Sequence, residues 1–114
     1  KIKLKKKKIS INKFDDLNLK IKPHFIKIDV EGYDHYVLRG LLKTIKKFKP
    51  IFLIEYNQEN FFEIKKYLKE YDNYIYDIRL DKLIKFKKKS FNNKISRSSK
   101  TNLLSSRNIY FVPK

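Results

Sequence analysis

Three carboxylates stand where chemistry could be done. Asp29 and Glu31 close the segment Phe25-Ile26-Lys27-Ile28-Asp29-Val30-Glu31-Gly32, and Glu55 closes the apolar run Ile51-Phe52-Leu53-Ile54. A carboxylate so placed can take a proton from a hydroxyl, bind a hard divalent cation through oxygen, or hold the hydroxyl groups of a ligand. Tyr56 and Asn57 follow Glu55 and add a phenol and a carboxamide. Acidic residues after a strand also cap the next helix, and Glu31, close to a helix that starts near Tyr33, suits capping as well as chemistry. Gly32 supplies a backbone conformation or a close approach that a side chain would obstruct. His24 lies at the opposite end of its strand from the carboxylates, so a structural role is expected. His35 falls in the first helical turn and can face the site or solvent.

These residues need strands to carry them. Ile9-Ser10-Ile11 alternates like a short strand, and Asn12 to Leu17 reads as a turn opening a short helix, with Asp15 and Asp16 suited to its N-terminus. Pro23-His24 breaks the chain before a β-branched and aromatic strand from Phe25 to Val30. From Tyr33 the period becomes helical: Val37, Leu38, Leu41, Leu42, Ile45 and Phe48 form one stripe, with Pro50 as its stop. Ile51 to Ile54 is a continuous apolar run, as in a strand buried on both faces. Asn60-Phe61-Phe62-Glu63 has capping-box spacing, and a second helical stripe runs to about Tyr71. Tyr74 to Arg79 and Asn108 to Val112 read as further strands. Between them Lys82 to Arg107 is expected to be a long mobile basic loop, with room for a hairpin at Lys82 to Lys87.

The alternation strand-helix-strand-helix-strand predicts an α/β fold with a mostly parallel sheet. Ligands bind such sheets at the carboxyl ends of the strands. Asp29, Glu31, Glu55, Tyr56 and Asn57 should therefore converge on one rim.

Composition excludes several classes. The 114 residues leave no room for a two-domain enzyme, and 41% hydrophobic residues are enough to bury a core. The absence of cysteine removes disulfides, thiolate metal sites and cysteine nucleophiles. No apolar run is long enough to cross a bilayer and no signal-peptide pattern is present, so a cytoplasmic location is expected. The net charge of +17 points at first to nucleic acid. Yet Lys, Ile, Asn, Phe and Tyr make up 66 residues and Ala, Gly, Pro and Arg only 9, the signature of A/T-rich codons. Only 4 of the 29 cations are Arg, the residue that bidentate recognition of phosphate and bases favours, so specific nucleic-acid binding is not expected. The chain starts at Lys1 and contains no methionine, which favours a fragment.

The block from Phe25 to Gly32, then Tyr33-Asp34-His35-Tyr36-Val37-Leu38-Arg39-Gly40, then Lys49-Pro50-Ile51-Phe52-Leu53-Ile54-Glu55, closely resembles the FkbM family of S-adenosylmethionine-dependent methyltransferases. Its I-K-I-D-V-E-G strand end, its helix with V-L-x-G and its K-P-x-x-x-x-E strand occur in order. Phe14-Asp15-Asp16-Leu17 is similar to the L-D-D-L element before this block, with Phe14 in place of leucine. The resemblance implies a partial doubly wound, Rossmann-like sheet, with Phe25 to Asp29 as its fourth strand and Ile51 to Glu55 as its fifth. It makes residues 1–114 the C-terminal part of one methyltransferase domain, inactive alone and marginally stable. The glycine-rich cofactor loop is then expected upstream of Lys1, so no residue is assigned to binding S-adenosyl-L-methionine.

The resemblance further implies methyl transfer to an acceptor oxygen, on a sugar or other small-molecule hydroxyl such as a glycan or glycan precursor. A hydroxyl is a poor nucleophile until a base takes its proton. Asp29 is the first candidate for that base, Glu31 the second, and Glu55 completes the catalytic set. No metal is assigned, although magnesium between Asp29 and Glu55 is conceivable. The competing readings are a basic nucleic-acid-binding module and a metal-dependent glycosyltransferase-like fragment that uses Asp29-Val30-Glu31 as its metal site.

Overall fold

The computed structural model describes residues 1–86 and 108–114. A 310 turn at Phe14–Asp16 comes first. It is followed by β1 (Phe25–Ile28), α1 (Asp34–Arg39), α2 (Leu42–Phe48), β2 (Ile51–Glu55), α3 (Gln58–Tyr67), β3 (Tyr71–Asp77), β4 (Lys82–Lys85) and β5 (Asn108–Pro113). Residues 1–13 form no regular element, so the strand expected at Ile9 to Ile11 is absent. The first four residues of the expected basic loop form β4, which makes a hairpin with β3. The remainder of that loop lies outside the described residues.

One five-stranded sheet runs in the order β1-β2-β5-β3-β4. Only β1 and β2 pair in parallel; the β2–β5, β5–β3 and β3–β4 pairings are antiparallel. The expectation of a mostly parallel sheet is corrected accordingly: the fold is α/β with a mixed sheet. The helical crossovers do leave β1, β2 and β3 running in one direction, since β5 is antiparallel to both β2 and β3. What the sequence pattern missed is that β5 inserts between β2 and β3 in reverse. Alternation announces a strand but does not name its partner.

The core lies on one face of the sheet. Ile28, Phe52, Ile54, Ile109, Phe111, Tyr71 and Ile75 join Leu38 and Leu41 from the α1–α2 segment and Ile64 and Leu68 from α3 and its end in one buried cluster. Register places the remaining strand residues, Phe25 beside Ile51 and Leu53 beside Tyr110, on the opposite face. None of these belongs to the core, Phe25 is 51% exposed, and among the described residues no helix covers that face. The apolar run of β2 is therefore buried on one side only, with Phe52 and Ile54 buried and Ile51 and Leu53 half-buried.

The single helix expected from Tyr33 to Phe48 is two. Gly40 caps α1, and its carbonyl accepts from Asp15 N at 3.0 Å rather than from Thr44 N four residues on. The freed donors turn to Asp15 as well: Lys43 N gives 2.7 Å to Oδ2, and Thr44 N and Oγ1 give 3.1 and 2.7 Å to Oδ1. Asp15 thus breaks the helix and caps α2, which has no capping side chain at its own Leu41. Asp15, expected at the start of its own turn, thus serves a helix 28 residues along the chain.

Partial burial pushes the Asp15 carboxyl up, but the Thr44 hydroxyl and the Lys43 and Thr44 backbone N–H groups outweigh it and hold its pKa below the ordinary value. A depressed folded pKa gives stability that is present above the unfolded pKa and lost as pH falls through the folded one. Asp15→Ala should therefore lower stability at pH 7 by about 1 kcal/mol, as for a lost cap. Urea unfolding at a series of pH values should show the gap to wild type closing below about pH 4. A gap independent of pH would show that the carboxylate charge does not matter there.

Candidate functional site

β1 and β2 are neighbours in parallel register, with Ile28 opposite Ile54. The next residues are Asp29, one step past β1, and Glu55, the last of β2. They lie at the same carboxyl end of adjacent strands, which run about 4.8 Å apart. The expected convergence of these two residues is present, and both are exposed at the rim. Lys27 Nζ is 3.6 Å from Asp29 Oδ2, with both side chains 56% exposed, so this ion pair is solvated and weak. Register and alternation put Asp29 and Glu55 on the face that the helices leave bare.

Glu31 follows Asp29 by two residues, in a strained turn. Tyr33 N closes on Val30 O at 3.3 Å, and both central residues have positive φ, +46° at Glu31 and +98° at Gly32. Glycine adopts such a backbone freely, whereas for a residue with a side chain it costs roughly 1–2 kcal/mol. Strain of this kind tends to collect at functional sites. Glu31 does not cap α1: the N-cap is Tyr33, with no side-chain capping bond.

The other rim candidates hold structure. Asn57, not Asn60, caps α3, accepting from Glu59 N at 2.9 Å, because the chain leaves β2 extended and turns helical at once. Tyr56 packs its ring at 5.5 Å from Phe61 and 5.6 Å from Phe86. His24 sits at the far end of β1, where its carbonyl accepts from Ile51 N. The His35 ring stacks on Tyr36 at 4.1 Å, and its buried Nδ1 has no hydrogen-bond partner among the described residues.

Two residues escaped sequence reading. Asp34 is 3% exposed, and its Oδ1 has no hydrogen-bond partner among the described residues. It is the first residue of α1, just past the two carboxylates of the β1–α1 connection. Asn60 donates from Nδ2 to the Gly32 carbonyl at 2.8 Å; the capping-box spacing with Glu63 masked this role. Beside the turn an apolar groove of about 500 Å³ is lined by Phe14, Leu17, Val30, Tyr33 and Tyr36 among others. Among the described residues no group of three or more His, Asp or Glu side chains is placed to hold a metal ion.

The model of the methyltransferase FkbM domain matches residues 3–76 of the 114-residue chain. The chain belongs to the FkbM methyltransferase family. The match spans the Asp15 cap, β1, its strained turn, the α1–α2 segment, β2, α3 and most of β3, so every rim carboxylate of this FkbM methyltransferase chain falls inside it. No curated protein and no solved structure gives a significant match. Among the described residues no helix is long and apolar enough to cross a membrane.

Proposed function

We propose that this FkbM methyltransferase chain carries the acceptor side of an S-adenosylmethionine-dependent O-methyltransferase acting on a sugar or other small-molecule hydroxyl. The observation that carries the reading is the parallel β1–β2 register, which brings Asp29 and Glu55 to one rim beside the strained Glu31 turn. Polar groups gathered where buried strands end are the usual inventory of an active site in α/β sheets.

The residues present suit part of the cofactor. An exposed anionic rim favours a cationic sulfonium, and the neighbouring apolar groove offers aromatic and aliphatic surface to a flat base. Bound S-adenosylmethionine would supply an activated methyl group. Asp29 is positioned to accept the acceptor hydroxyl proton as the new carbon–oxygen bond forms. Glu31 and Glu55 bind and orient the acceptor's remaining hydroxyls by accepting their hydrogen bonds. No metal enters this reading. The bare apolar face of the sheet supports a place for residues 1–114 as the C-terminal part of a larger methyltransferase domain whose glycine-rich cofactor loop lies elsewhere in the protein. We place the reaction in the cytoplasm.

Incubation of the larger methyltransferase domain that contains this chain with methyl-labelled S-adenosylmethionine and a panel of monosaccharides and small alcohols tests the proposal. Label should appear in an alkali-stable ether, and Glu55→Gln should lower the yield about tenfold through loss of charge-assisted hydrogen bonds. Label found only on amines or carboxylates would discard hydroxyl methylation.

A further inference from the structure

Asn60 lies in the first helical turns of α3, three residues past the cap, yet its side chain does not serve its own helix. Nδ2 donates to the Gly32 carbonyl across 28 residues of chain, in a partly buried bond of 2.8 Å. Gly32 is the second centre of the turn that closes β1. A Cβ built on it would stand 3.2 Å from Asn60 Nδ2, so the two groups approach about as closely as a glycine allows.

A left-handed glutamate persists only where its surroundings over-determine it. The turn's own closing bond is long, at 3.3 Å, and among the described residues no hydrogen bond or ion pair holds the Glu31 carboxylate. The grip on the turn comes from Asn60. The same bond ties the connection after β1 to the helix launched by the connection after β2, and so links the two strand ends that form the rim.

We infer that Asn60 is a positioning residue for methyl transfer: by holding the Gly32 carbonyl it keeps Glu31 left-handed and sets the direction in which the Glu31 carboxylate leaves the rim. The inference rests on the reading of Glu31 as a site residue. Asn60 itself touches no substrate. Aspartate at this position has the same shape but offers only acceptor oxygens to a carbonyl at neutral pH, so Asn60→Asp releases the turn without opening a cavity. Asn60→Gln keeps a donor on a longer arm.

Two measurements test this. In the isotopically labelled wild-type protein, one Asn60 carboxamide proton should exchange slowly, and Glu31 should give the strong intraresidue amide-to-Hα Overhauser effect of positive φ. In Asn60→Asp and Asn60→Ala that Glu31 signature should vanish while β2 and β5 keep their amide shifts. Its retention in both variants, or fast exchange of both carboxamide protons in wild type, overturns the inference, and this arm needs no acceptor. The second arm uses the larger methyltransferase domain that contains this chain and reads S-adenosylhomocysteine released from S-adenosylmethionine with mono- and disaccharides as probes. Asn60→Asp should slow release by roughly tenfold to a hundredfold, with partial rescue in Asn60→Gln. Adding Asn60→Asp to Glu31→Gln should cost nothing further, because Asn60 acts through Glu31. Additive losses would reduce Asn60 to a structural contact and overturn its positioning role. A fully active Glu31→Gln, with the Glu31 signature still dependent on Asn60, would instead remove Glu31 from the site and locate the failure in that reading.

Discussion

Asp29→Asn should slow methyl transfer by about a hundredfold to ten-thousandfold, the range that a positioned general base contributes. The fold should hardly register the change. Asp29 lies one residue past β1, and among the described residues its one ion-pair partner is Lys27 at 3.6 Å, with both side chains 56% exposed. Such a pair contributes roughly 0–1 kcal/mol, and the amide can still accept a hydrogen bond from the lysine. The same substitution therefore separates chemistry from stability. Rate measured on the larger methyltransferase domain with labelled S-adenosylmethionine, alongside urea unfolding, checks both halves. A rate within about tenfold of wild type, at unchanged stability, would move the base to Glu31 or Glu55.

Phe52→Ala should produce the largest loss of stability, about 3–5 kcal/mol for an aromatic ring removed from a core. Phe52 is fully buried in β2, paired across the sheet with Phe111 and packed 5.9 Å from the Tyr71 ring. Few neighbours can fill the void, because the surrounding residues belong to strands fixed by their ladders. Domains of this size are stable by only about 5–15 kcal/mol, so the loss is a large part of the total. Phe62→Ala on α3 is the control: its ring is 74% exposed, and the expected change lies within about 0.5 kcal/mol. Denaturant midpoints compare the two directly. Similar midpoints would mean that the covered face is not the core that holds the molecule together.

The elements were legible where local chemistry decides them. Phe25 to Ile28 and Ile51 to Glu55 appear as strands because β-branched and aromatic residues fit a pleated surface, and Pro50 ends the preceding helix where its missing N–H requires. The errors came where a distant residue took over a local bond. Helical periodicity continued through Gly40, but Asp15 captured that carbonyl and the two following N–H donors, and one helix became two. Tyr71 continued the apolar stripe of α3 yet begins β3, since Leu68 already ends the helix and Tyr71 can pair with Pro113. Asn60 had the spacing of a cap, but Asn57 filled that role three residues earlier and left Asn60 free for Gly32.

The sequence by itself determined the family, the two strands that carry the rim carboxylates, and the positions of Asp29, Glu31 and Glu55 along them. These follow from short-range patterns of residue type, which the chain cannot alter by folding. Only the tertiary structure decided that β1 and β2 are direct neighbours in register, that β5 reverses between β2 and β3, and that the helices cover one face. It alone showed the strain in the Glu31–Gly32 turn and the Asn60 carboxamide that holds it. A hydrogen bond across 28 residues depends on where two elements meet. That is settled by packing, which residue order at either end does not express.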